Sequence, residues 1–346
     1  MKARLRVGVV PVPSIEENVM QLIVENTCPT VWRFEYESTD PELENLYELA
    51  KTNQWNVTTD INWDRAIAED SDILGRSEDP LGRSKFFKTL SKTTQREVMA
   101  NQAAFTLSQF LHGEQGALLC CGELVDAVPD VEGKLYAATQ VMDEARHVEV
   151  FHKYLKKLDK TYPITDGLKN VLDAILAADT WQAKCVGMQI MVESIAMGSF
   201  KNMLIHANDP LLKDIVTLTA RDEARHVSFG ILSLQHEIPK MPEEDRVALE
   251  DFALTALNVL VGRGGDGRMQ RQSVSFDQPL IDAGLDPAEV TAALTKEYKT
   301  AGPPKTAQQP LFQHYVIPNV ERVGLLSDRI RPQYIEAGFI DTAKAA

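Results

Sequence analysis

From Thr94 onward, apolar and polar residues alternate with the three-and-four spacing of amphipathic helices. Thr94 with Glu97 has the form of a capping box, and the pattern it opens runs to about Ala127, where Pro129 stops it. Asp130 is placed to cap a second helix reaching to about Lys160, before Pro163. Asp166-Gly167 opens a third helical region extending to about Ala207, with a break expected near Asp179-Thr180. Asp209-Pro210, an N-cap followed by proline in the first turn, starts a fourth helix that stops before Pro239. Helices of roughly 25–35 residues are long against a typical ~11–12. With short polar turns between them, they predict an all-α fold built on an antiparallel four-helix bundle.

The flanks are less regular. In the first 93 residues, VGVVPV reads as a short strand or extended arm, SIEENVMQLIVEN has helical spacing, and Asp79-Pro80-Leu81-Gly82 reads as a turn. No linker-like composition isolates this stretch, so 1–93 is expected to wrap onto the same domain as the bundle at 94–265. A further helix is expected near Met241-Pro242, ending in GRGGDG. Beyond it, 266–346 forms a C-terminal helical extension, with DPAEVTAAL and VERVGLLSDRI as shorter helices around the Pro-rich AGPPKTAQQP and a frayed DTAKAA.

Composition narrows the function. With 44% hydrophobic and 25% charged residues, the 346-residue chain has the make-up of a soluble globular protein. A net charge of −14 argues against a nucleic-acid or anionic-membrane partner, since either needs a basic face. Cys28, Cys120, Cys121 and Cys185 show neither a CxxC pair nor a disulfide rhythm, which suits reduced thiols in a cytoplasm. No run approaches the 18 or so apolar residues of a membrane span, and the start does not read as a signal peptide. The expectation is a soluble, cytoplasmic protein.

Inside the bundle one pentapeptide occurs twice, Asp143-Glu144-Ala145-Arg146-His147 and Asp222-Glu223-Ala224-Arg225-His226. Thirty residues before each repeated glutamate, a solitary glutamate sits in an apolar run: Glu114 and Glu193. Residues three apart share a helix face, so each Glu-x-x-His offers a carboxylate and an imidazole to one point. Buried carboxylates are costly unless paired or bound to metal, and two divalent ions would cancel four of them. Carboxylates and imidazoles without thiolates suit iron or manganese rather than structural zinc. Glu149 and His152 repeat the spacing as a decoy, but five residues of helix turn them roughly 140° away from the first pair. The bland alternative is a buried network tying Arg146 and Arg225 to these acids. Asp143 and Asp222 are candidates to orient the histidines, by accepting from the ring nitrogen that does not face a metal. Phe110, Phe151, Met197 and Phe200 are candidate walls of an apolar substrate pocket, although helical spacing equally suits plain core.

One glutamate from each of two helices with Glu-x-x-His from each of two others resembles the ferritin-like di-metal carboxylate proteins. The doubled Asp-Glu-x-Arg-His is most similar to hydroxylase subunits of bacterial multicomponent monooxygenases, and more generally to the ribonucleotide reductase small-subunit superfamily. The resemblance covers about residues 94–240. It implies that Glu114, Glu144 and His147 hold one metal and Glu193, Glu223 and His226 a second, with some glutamates bridging. It also implies a di-iron centre that activates O2, an external electron donor and a homodimer. Three positions depart from these relatives. Phe151 stands where the radical-bearing reductase subunits keep a tyrosine, which argues against ribonucleotide reduction. Met197 replaces a threonine of the multicomponent monooxygenases. Thr219 stands where arylamine N-oxygenases have an additional histidine ligand, which weakens that reading.

The leading expectation is therefore a di-iron oxygenase or oxidase acting on a small, hydrophobic organic substrate. Its rivals are a ferroxidase or iron-storage protein, a di-manganese or Mn/Fe oxidase or catalase, and a metal-free structural bundle. The presence of all six ligands speaks against the last.

Overall fold

A computed structural model describes residues 28–32, 34, 36–67, 72–75, 80–264, 268, 277–301 and 311–341. The strand or arm and the helical stretch expected within the first 27 residues, like most of the Pro-rich connection near 305, lie outside these. Among the described residues the fold is helical, without an extended strand. None of the described helices is long and apolar enough to cross a membrane.

Ahead of the bundle come α1 (Pro41–Thr52), a single turn α2 (Pro80–Arg83) and α3 (Lys85–Thr89). The bundle begins with α4 (Lys92–Ala127). Its cap is Ser91, whose hydroxyl accepts from the Thr94 N–H at 3.1 Å, so the helix starts a turn before the expected Thr94–Glu97 box. Next is α5 (Val131–Leu158), with Asp130 at the cap position but making no side-chain capping bond.

The third region divides as its sequence suggested. Helix α6 (Asp166–Leu176) ends, Thr180 caps α7 (Trp181–Cys185), and the chain then runs through a π-helical stretch, Val186–Val192, into α8 (Glu193–His206). The fully buried Lys184 helps to end α6, since its ammonium donates to the Leu176 carbonyl at 2.6 Å and pairs with Glu123 at 2.5 Å. Asp209 caps α9 (Pro210–Gln235) by accepting from the Leu212 N–H at 2.7 Å. Outside the bundle follow α10 (Glu243–Leu260), α11 (Gln278–Asp282), α12 (Pro287–Ala301), α13 (Ile317–Arg322) and α14 (Arg331–Glu336).

Helix α4 packs along α5, α8 along α9, and α5 meets α9, while α1 lies across α5 and α9. The apolar core between them is split in two. One slab holds Ala117, Cys120, Tyr136, Ile190 and Phe229; the other holds Phe105, Leu107, Phe151, Phe200 and Ile215. On each of the four long helical runs, the repeated acids and histidines fall between the residues given to the two slabs. A polar layer thus crosses the middle of the bundle, where unpaired charge is most expensive.

Candidate metal centre

The six residues singled out by the repeat meet in that layer. Glu144, His147, Glu223 and His226 are fully buried, and Glu114 and Glu193 nearly so. Glu114 comes from α4, Glu144 and His147 from α5, Glu193 from the start of α8, and Glu223 and His226 from α9.

Both imidazoles turn Nδ1 inward. His147 Nδ1 faces Glu114 Oε2 at 3.2 Å, Glu144 Oε2 at 3.4 Å and Glu223 Oε1 at 3.2 Å. His226 Nδ1 faces Glu144 Oε1 at 3.1 Å, Glu223 Oε2 at 3.1 Å and Glu193 Oε1 at 3.9 Å. Glu144 and Glu223 each turn one oxygen to either histidine, the placement a bridging carboxylate needs. Two groups able to hold a cation result: Glu114, Glu144, His147 and Glu223, and then Glu144, Glu193 and His226.

The donors fit metal ions. Ligand atoms about 2.1 Å from a shared cation and at right angles are ~3 Å apart, close to most of these spacings. Glu144 Oε2 and Glu223 Oε1 are buried and accept no hydrogen bond from the protein, the condition of oxygens that await a cation. Without metal, protons supply the missing positive charge. Burial and the neighbouring Glu223 carboxylate push Glu114 and Glu193 well above the usual range. His226 is pushed up to about 10: burial opposes the shift, and Glu144 and Glu223 drive it.

Around the six lies a crossed arrangement of the two aspartates and two arginines. His147 Nε2 meets Asp222 Oδ2 of the opposite helix at 3.3 Å, and His226 Nε2 meets Asp143 Oδ2 at 3.3 Å. Arg225 reaches Asp143 at 3.0 Å and Asp222 at 2.7 Å, while Arg146 bonds Asp143 and lies 3.4 Å from Asp222. The arginines therefore pair with the aspartates and leave the glutamates to the interior, unlike the bland alternative. The decoy Glu149 and His152 are exposed.

Three contributors were not foreseen. Trp55, between α1 and the bundle, donates its indole N–H to Asp222 Oδ2 at 2.6 Å. Its neighbour Gln54 donates to Asp143 Oδ1 at 3.3 Å and accepts from Arg146. The fully buried Gln140 donates to Glu144 Oε1 at 3.0 Å and to Glu193 Oε1 at 3.2 Å. Gln140 was within reach of sequence reasoning, because it lies one turn before Glu144 on the inward stripe of α5. Nothing local marks Trp55.

Of the candidate pocket residues, Phe110, Phe151 and Phe200 pack together, with centroids 4.8–6.0 Å apart. Met197 packs against the other slab. Thr219 is buried, with its hydroxyl returned to the Ile215 carbonyl at 3.1 Å. Beside Phe110 a cavity of about 220 Å³ lies between α4 and α8, lined in part by Thr106, Ser199, Asn202 and His206.

The family model described as P-aminobenzoate N-oxygenase AurF matches residues 37–280, well over half of the chain. The chain belongs to this family. It is an oxidoreductase with a dinuclear metal cofactor, an oxygenase or oxidase that uses O2 on a substrate. Thr219, which weakened an N-oxygenase reading in the sequence, does not remove the chain from the family. Among solved structures it is similar to an R2-like ligand-binding oxidase with a metal cofactor aerobically reconstituted and then photoconverted. That match has 19% identity and a TM-score of 0.46, covering 84% of this chain and 94% of the other. A second structure of such an oxidase, with an aerobically reconstituted Mn/Fe cofactor, matches at 18% identity and a TM-score of 0.41, covering 87% and 93%. No curated protein sequence matches the chain.

Proposed function

We propose that Glu114, Glu144, His147, Glu193, Glu223 and His226 hold two iron ions, and that the enzyme uses them with O2 to oxidise a small aromatic amine. The observation that carries this reading is the convergence of four buried carboxylates and two inward Nδ1 atoms, with two oxygens left unpartnered. The same thiolate-free donor set accepts manganese at one or both positions. Two ions held by these six residues would supply redox chemistry toward O2.

The surrounding residues have distinct tasks. Asp222 and Asp143 accept the Nε2 protons, which leaves each Nδ1 lone pair turned inward. Phe110, one helical turn before Glu114, packs with Phe151 and Phe200 to exclude water from that side of the centre. An aromatic ring fits the cavity beside Phe110, since a cavity of about 150 Å³ already accepts benzene. Thr106, Ser199 and Asn202 offer polar atoms there to orient its substituents. Placing one oxygen atom on the amine and releasing the other as water takes two electrons and two protons from outside, so an external donor belongs to this reading.

The reading also includes one folding unit for 1–93, 94–265 and 266–346, supported by the reach of Trp55 into the centre. It keeps a homodimer and a cytoplasmic setting, the latter supported by the buried free thiols of Cys120, Cys121 and Cys185. The acidic net charge supports the absence of a nucleic-acid partner.

The test is to load purified protein with iron(II) anaerobically, count the metal, and then admit O2 with and without an aniline. Two ions per chain and an N-oxidised product are expected. Well under one ion per chain would sink the dinuclear centre. Slow ferric mineral growth that ignores the amine would move the reading to iron storage.

A further inference from the structure

The two cation positions are unequal in what already occupies their oxygens. Beside His147, Glu144 Oε2 and Glu223 Oε1 face the imidazole and accept no hydrogen bond. Beside His226, two of the three facing oxygens are taken. The Gln140 amide donates to Glu144 Oε1 at 3.0 Å and to Glu193 Oε1 at 3.2 Å. Glu193 Oε1 is also the oxygen that stands furthest from its histidine, at 3.9 Å.

Gln140 is fully buried, and its own Oε1 has no partner. Both amide hydrogens are thus committed to carboxylates while the carbonyl goes unsatisfied. Such a group is costly to keep for packing alone, because an apolar side chain of the same size would remove the orphan acceptor. Its effect on metal binding follows from competition. An N–H donor withdraws charge from the oxygen it bonds and fixes its direction, so a cation beside His226 must share both oxygens with the amide. No such donor acts on the unpartnered oxygens beside His147.

Building on the dinuclear reading above, we propose that Gln140 is a positioning residue that orders metal loading. The first cation settles beside His147, with Glu114, Glu144 and Glu223. The second, beside His226, binds more weakly because Gln140 holds Glu144 Oε1 and Glu193 Oε1.

Cobalt(II) titration of the metal-free chain under nitrogen, followed by visible absorbance and calorimetry, tests this without turnover. Two steps separated by about tenfold or more are expected, the scale of one hydrogen bond to a charged group. His226→Ala should keep the tight step and His147→Ala should lose it. Gln140→Met, close in volume and without a donor, should bring the two constants within about threefold by tightening the second. Gln140→Asn, whose shorter amide cannot span both oxygens, should narrow the gap the same way and guards against a Met variant that fails to fold. Two equal steps in the unaltered chain, loss of the tight step in His226→Ala rather than His147→Ala, or an unchanged gap in both Gln140 variants would overturn the proposal. Absence of any cobalt binding would instead overturn the dinuclear reading on which it rests.

Discussion

The His147 and His226 halves of the centre begin from the same five residues and end in different surroundings. In each, Nδ1 points inward and Nε2 meets the aspartate of the opposite helix at 3.3 Å. The differences come from elsewhere in the chain. Asp222, behind His147, takes a 2.6 Å hydrogen bond from the buried Trp55, whereas Asp143, behind His226, takes a 3.3 Å bond from the exposed Gln54. Glu114 leaves a regular helix and sits 3.2 Å from its histidine; Glu193 follows a π-helical stretch and stands 3.9 Å away. A repeat can copy the ligands of a site, but the scaffold decides how alike the copies are.

The strongest way to break the comparison is to remove a residue common to both halves. Glu144→Ala deletes an oxygen facing each histidine, so both ions should be lost together, read by metal analysis and disappearance of the dinuclear spectrum. Glu149→Ala on the same helix should change neither. Next in size is Arg225→Ala. It leaves two fully buried aspartates short of a cation, and breaking a buried pair costs about 3–5 kcal/mol, measurable by urea unfolding of the metal-free chain.

Trp55→Phe should separate the halves. It keeps a ring but removes the donor to Asp222, so affinity at the His147 position should fall roughly 10–100-fold, as is usual when a ligand's hydrogen-bond partner is lost. Gln54→Leu acts behind His226, where water can replace the amide, and should cost less in the same cobalt titration. Equal losses at both positions in either variant would show that the halves are coupled through the arginines and do not respond separately.

How much of this was legible beforehand follows from the range of each signal. The convergence of the four glutamates and two histidines was readable because helical spacing and a thirty-residue repeat are local periodicities. The exposed decoy was removed by the same argument. The helix break before α7 was readable from Asp179-Thr180, but the cap of α4 was misplaced, because Ser91 and Thr94 both suit an N-cap and only packing selects between them. The turning of Glu144 and Glu223 toward both histidines depends on rotamers of facing helices, and the Trp55–Asp222 bond joins residues 167 apart. Neither leaves a mark in local pattern. Met197 lies with Phe200 in the regular helix α8, after the π-helical stretch ends at Val192, yet packs against the other slab, a choice that helical spacing alone does not make.

That difference in winding gives the cleanest contrast. Gly113, beside Glu114 in the regular helix α4, has nothing within 4 Å of where a Cβ would stand. Gly113→Ala should therefore stabilise the chain by about 0.5–1 kcal/mol through helix propensity alone. Gly187, in the π-helical stretch before Glu193, has Ile175 Cγ1 at 2.5 Å and Ile175 Cδ1 at 3.0 Å from the same point. There the close approach of α6 outweighs propensity, and Gly187→Ala should destabilise by ~1–3 kcal/mol. Thermal melts of the two metal-free variants should move in opposite directions. If both rose, the close contact with α6 would not be what reserves position 187 for glycine, and the irregular approach to Glu193 would need another cause.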